Sequence, residues 1–84
     1  MSKKNYKKRG KYIIHVLNDD VNTYEYVTTQ LRELCGHNYF QSIQCTNIIH
    51  SVGKCDVFTG PYNMCSEVYT ELLESGLNVT ISKK

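Results

Sequence analysis

Eighty-four residues make one small domain with a single thin core and leave no room for a second. Hydrophobic residues are 40% and charged residues 21%, with one Pro and no Trp, which excludes a disordered or collagen-like chain. No run approaches the roughly 18 apolar residues of a membrane span, and Met1 to Lys11 lacks the apolar stretch of a secretory signal, so a soluble, cytoplasmic protein is expected.

The net charge of +2 conceals a division. Lys3, Lys4, Lys7, Lys8, Arg9 and Lys11 supply six of the ten basic residues before the first apolar run. From Tyr12 to Ser82 only Arg32 and Lys54 stand against eight acids, a net of −6. Residues 1–11 therefore read as a basic, flexible, solvated tail and 12–84 as an acidic folded body. An acidic body argues against nucleic acid as a partner, because a phosphate footprint places Lys and Arg on the fold itself.

Tyr12 to Leu17 is apolar and β-branched between Gly10 and Asn18-Asp19-Asp20, and reads as a central strand. Asn22 and Glu25 have the spacing of a capping box, after which Tyr24, Val27, Leu31, Leu34 and Cys35 recur at helical intervals up to Gly36. Asn38 and Gln41 repeat that start signal for a second helix, which carries Phe40, Ile43, Ile48 and Ile49, places His50 in its last turn and ends at Gly53. Cys55 to Phe58 is a short strand, and Thr59-Gly60-Pro61 leads into a third helix with Tyr62, Cys65, Val68, Tyr69, Leu72 and Leu73 on one side. After Gly76, Leu77, Val79 and Ile81 alternate with polar residues as a last, half-buried strand. The order β-α-α-β-α-β predicts an α+β two-layer sandwich, a three-stranded antiparallel sheet with three helices on one face.

Cysteines at 35, 45, 55 and 65 form no C-x-x-C pair, so neither zinc nor a disulfide framework is expected and all four read as buried free thiols. Two features bear chemistry. Asn18-Asp19-Asp20 concentrates acceptors at a strand exit and invites a cation, but the residues alone favour Asx-turns and helix capping. The cluster offers too few ligands for a divalent metal. His50, near a helix C-terminus, fits equally a ligand contact and a structural bond to a carbonyl. His15 and His37 read as structural, no nucleophile-base order has local support, and no enzyme or cofactor is proposed.

Tyr12-Ile13-Ile14-His15-Val16-Leu17-Asn18-Asp19-Asp20, followed by Glu25-Tyr26-Val27, resembles the opening of the ClpS-type adaptors of the bacterial Clp protease. Ile49-His50-Ser51-Val52-Gly53-Lys54, Val57-Phe58-Thr59 and Gly76-Leu77-Asn78-Val79-Thr80 continue the likeness over nearly everything after the basic tail. The resemblance implies a non-enzymatic adaptor that captures substrates by a destabilising, bulky N-terminal residue and hands them to a Clp ATPase chaperone of the ClpA or ClpC type. By similarity Asn18, Asp19 and His50 hold the free α-amino group and Asp20 supports the loop. Asn22, Tyr24, Thr46, Ile49 and Leu77 fall on the positions of the apolar pocket. Where the family has a Thr-Pro-Met run, this chain has Asn22-Thr23-Tyr24, which sets an aromatic ring at the pocket mouth. The third helix lacks the family's Ala-Glu-x-Lys opening. The rival reading is the same fold used as a docking module, like the C-terminal domain of the ribosomal stalk protein, without degron recognition.

Overall fold

The computed structural model describes residues 10–84; Lys3 to Arg9 of the basic tail lie outside the described residues. Six elements follow one another: β1 (Lys11–Leu17), α1 (Tyr24–Leu34), α2 (Tyr39–Val52), β2 (Lys54–Pro61), α3 (Tyr62–Glu74) and β3 (Asn78–Lys83). The sheet order is β2-β1-β3 and both pairings are antiparallel, so the α+β sandwich expected from the pattern is the fold found. β1 takes the centre because it is the most apolar strand. Ile14 and Val16 are 0% and 1% exposed, while Ile13 and His15, which alternate with them, remain half-buried. Val57, Val79, Leu31, Ile49, Cys65 and Leu72 complete the core between sheet and helices.

Four local expectations are corrected. The capping box of the first helix does not form at Asn22. Thr23 is the N-cap and accepts from the Tyr26 amide at 3.1 Å, because the Asn22 side chain is drawn into the preceding loop. The box at Asn38 and Gln41 forms as expected. β1 begins one residue early, at Lys11, and β2 runs through Thr59-Gly60-Pro61 instead of stopping at Phe58. Pairing of Tyr12 with Gly60 and Lys11 with Pro61 overrides the weak strand propensity there, and Pro is tolerated because β2 is an edge strand. The register steps between Ile14/Phe58 and His15/Asp56, so Val57 is an extra residue turned into the core.

The fourth correction concerns the cysteines. Cys45 on α2 and Cys55 on β2 form a disulfide, their Cα atoms 5.9 Å apart. A spacing of ten residues says nothing of this until Gly53 folds the chain back and sets the two arms face to face. Cys35 and Cys65 remain free thiols. Burial, with Glu71 nearby, pushes the Cys35 thiol up to about 12, and burial raises Cys65 too, so neither is a ready thiolate. The bridge closes a short loop, which is worth about 2–3 kcal/mol in the chain-entropy model. Oxidised protein is therefore expected to melt roughly 10 °C or more above the Cys45→Ser variant. Thermal melts with and without reductant check this, and reductant should erase the difference.

Candidate functional site

The site is built where β1 runs out and α2 ends. Gly53 caps α2 with φ 111°, a left-handed conformation that turns the chain sharply into β2. Its carbonyl accepts from the Asn18 amide at 2.9 Å, which ties the strand exit to the last turn of α2. Asn18 and His50 are thereby brought to one place, both exposed.

Beyond Asn18 the loop is organised by Asp19. One carboxylate oxygen accepts from the Val21 amide at 2.9 Å and the Asn22 amide at 2.8 Å; the other accepts from Asn22 Nδ2 at 2.8 Å. The Asn22 amide foremost among these bonds holds the Asp19 carboxyl below its ordinary pKa, with burial opposing. Asn22 Nδ2 also donates to the Gly76 carbonyl at 3.1 Å, pinning the loop to the start of β3. Asp20 is exposed and adds no hydrogen bond among the described residues, so loop support falls to Asp19 instead of Asp20.

Between α1 and α2 this loop borders a narrow cleft of about 20 Å³, lined by Asn18, Asn22, Thr23, Tyr24, Val27, Thr46, Ile49 and His50. Thr46, Ile49 and His50 share one face of α2 through their i, i+3, i+4 spacing. The buried side chains of Val27, Thr46 and Ile49 form the floor. Thr46 spends its hydroxyl on the Ser42 carbonyl at 2.7 Å and accepts from Thr28 at 2.9 Å, so it presents a satisfied wall. Across the mouth the Tyr24 hydroxyl donates to Asn47 Oδ1 at 2.7 Å, joining α1 to α2.

The match to known families is now specific. The family model described as "ATP-dependent Clp protease adaptor protein ClpS" matches residues 7–80. The chain belongs to the ClpS family. Among solved structures, ClpS2 of Agrobacterium tumefaciens bound to L-phenylalaninamide is similar over 89% of this chain and 98% of that one, with a TM-score of 0.76 and 21% identity. No curated protein matches the chain significantly.

Set on this ClpS fold, the expected residues divide into two groups. Asn18, Asn22, Tyr24, Thr46, Ile49 and His50 gather round the cleft. Asp19 stands behind it in the loop, and Leu77, 3% exposed, is a core residue outside the lining. Thr23 and Val27 also line the cleft and escaped sequence reasoning. Val27 lies three residues from Tyr24 on the same helix face, and that shared face was the available signal, spent on assigning the core.

Proposed function

We propose that this ClpS-family chain is a non-enzymatic adaptor that binds proteins by a free N-terminal α-amino group and a bulky apolar first side chain, and delivers them to a Clp ATPase chaperone. The observation carrying this reading is the pairing of exposed Asn18 and His50 at the rim of a cleft floored by Val27 and Ile49. An α-ammonium is a cation with three donors. The Asn18 side-chain carbonyl and an unprotonated ring nitrogen of His50 are acceptors, and among the described residues no Lys or Arg lines the cleft. The carboxylate of Asp19 behind the loop adds the right sign of potential. The relative's ligand, phenylalaninamide, carries this same pair of groups, a free amine and a bulky side chain.

Delivery to the chaperone rests on family membership alone. An adaptor to such a chaperone works in the cytoplasm, where a reducing poise favours Cys45 and Cys55 as a dithiol. Among the described residues no helix is long and apolar enough to cross a membrane.

The test is fluorescence anisotropy with peptides labelled at the far end and differing only at the first residue, each with its amine free or acetylated. Binding confined to free-amine Leu and Phe peptides is expected. Acetylation removes the charge and donors and leaves the acceptors unpaired. Equal or absent binding across the set overturns the reading and leaves a docking module of the same fold.

A further inference from the structure

The disulfide between Cys45 and Cys55 closes a ring around the α2 half of the clamp. Residues 45 to 55 contain every residue that α2 places in the cleft, Thr46, Ile49 and His50, together with Gly53, whose carbonyl holds the Asn18 amide. We propose that these two cysteines are a reversible thiol–disulfide exchange site, and that the disulfide form binds N-terminal ligands more tightly than the dithiol. This rests on the N-terminal clamp just proposed, and adds to it a response to oxidants.

The placement of the two sulfurs keeps the exchange local. Cys45 is 5% exposed and belongs to the core, while Cys55, on the edge strand β2, is half-buried and is the sulfur a reagent reaches first. Both sulfurs lie against the Asp56 carbonyl, 3.7 Å from Cys45 and 3.4 Å from Cys55, an acceptor that either thiol proton can use in the dithiol. The fold therefore accommodates both states. Cys35 and Cys65 are no rivals, because burial raises the pKa of both free thiols. Oxidation requires a small disulfide such as oxidised glutathione. The Cys55 thiolate attacks one of its sulfurs and expels one glutathione thiolate; the Cys45 thiolate then attacks Cys55 Sγ and expels the second. The protein gives up two electrons, and its two thiol protons end on the two departing glutathiones.

The link to affinity is preorganisation. His50 stands in the last turn of α2, which the Gly53 amide caps through the Ile48 and Ile49 carbonyls at 3.3 and 3.0 Å. Helix ends fray, and in the dithiol this end is ordered only by such bonds and by its packing, so part of its ordering falls due when a ligand binds. The disulfide fixes the chain on both sides of His50 and Gly53, so that ordering is complete before the ligand arrives. In a reducing cytoplasm the dithiol is the resting form, and a rise in oxidised glutathione tightens capture.

Anisotropy on the full chain tests this, with the protein prepared as disulfide by oxidised glutathione or as dithiol by dithiothreitol, each state confirmed by mass. The disulfide form is expected to bind a free-amine Phe peptide about three- to tenfold more tightly than the dithiol. Cys45→Ser and Cys55→Ser should bind like the dithiol and ignore the oxidant. Linkage supplies a second readout: at a fixed ratio of reduced to oxidised glutathione, saturating free-amine Phe peptide should raise the ratio of disulfide to dithiol by the same factor, and its acetylated form should not. Equal affinity in the two forms, tighter binding by the dithiol, or an oxidant response that persists in Cys45→Ser overturns the redox link and leaves the clamp standing. A free-amine peptide that binds neither form better than its acetylated counterpart removes both readings.

Discussion

His50→Ala is expected to weaken binding of a free-amine Phe peptide by roughly ten- to a hundredfold while leaving the melting temperature unchanged. His50 sits in the last turn of α2 with its side chain in solvent and no hydrogen bond among the described residues, so the folded state loses little without it. Its ring nitrogen matters only once a donor arrives, and a hydrogen bond to a charged group contributes about 1.5–3 kcal/mol. Asn18→Ala should behave alike, because its tie to Gly53 is made by the backbone amide and survives truncation. Asp19→Ala makes the informative contrast. It removes three hydrogen bonds that shape the loop, so its loss of binding should come with a lower melting temperature. Titrations read beside thermal melts separate the two classes, and full affinity in His50→Ala would sink the clamp.

The parts of this molecule legible in the sequence are those decided by local pattern. The β-branched run Tyr12 to Leu17, the helical stripes, the Asn38 box and the Gly53 stop each have a cause within a few residues, and each appears where expected. The parts that were not legible depend on two distant segments meeting. Cys45 and Cys55 look like unrelated thiols until Gly53 folds α2 back against β2. Asn22 has the sequence of a helix cap, yet Asp19 and Gly76 compete for its side-chain amide and win, which passes the cap to Thr23. The same holds for the site. Ile49, Thr46 and His50 share one face by spacing alone, but that Leu77 falls into the core and Val27 into the cleft depends on how α1 docks on α2. The bridge between Tyr24 and Asn47 spans 23 residues and left no trace in local pattern.

That bridge leads to the second large effect, which concerns Tyr24. A cleft of about 20 Å³ holds about one water molecule, far short of a Leu or Phe side chain. Binding a bulky first residue therefore requires the Tyr24 ring to leave the mouth and its bond to Asn47 to break. At 40% exposure the ring has solvent to swing into, so the step costs chiefly that hydrogen bond and some ordering. Tyr24→Phe keeps the ring and removes the bond, and should raise affinity for free-amine Phe peptides about two- to tenfold, matching the 0.5–1.5 kcal/mol net value of such a bond. Tyr24→Ala removes the obstruction and exposes the Val27 and Ile49 floor. Because a bound Phe side chain is buried in either protein, only the cost of opening is saved, so a gain of about two- to tenfold, no smaller than that of Tyr24→Phe, is expected. Small first residues, which need no opening, should gain little, and the two substitutions should therefore steepen the preference for Phe over Ala. Anisotropy titrations of both variants against Phe- and Ala-initiated peptides measure that preference directly. A loss of Phe affinity in Tyr24→Ala would mean that the ring packs on the bound side chain as a wall, and the latch would have to be abandoned.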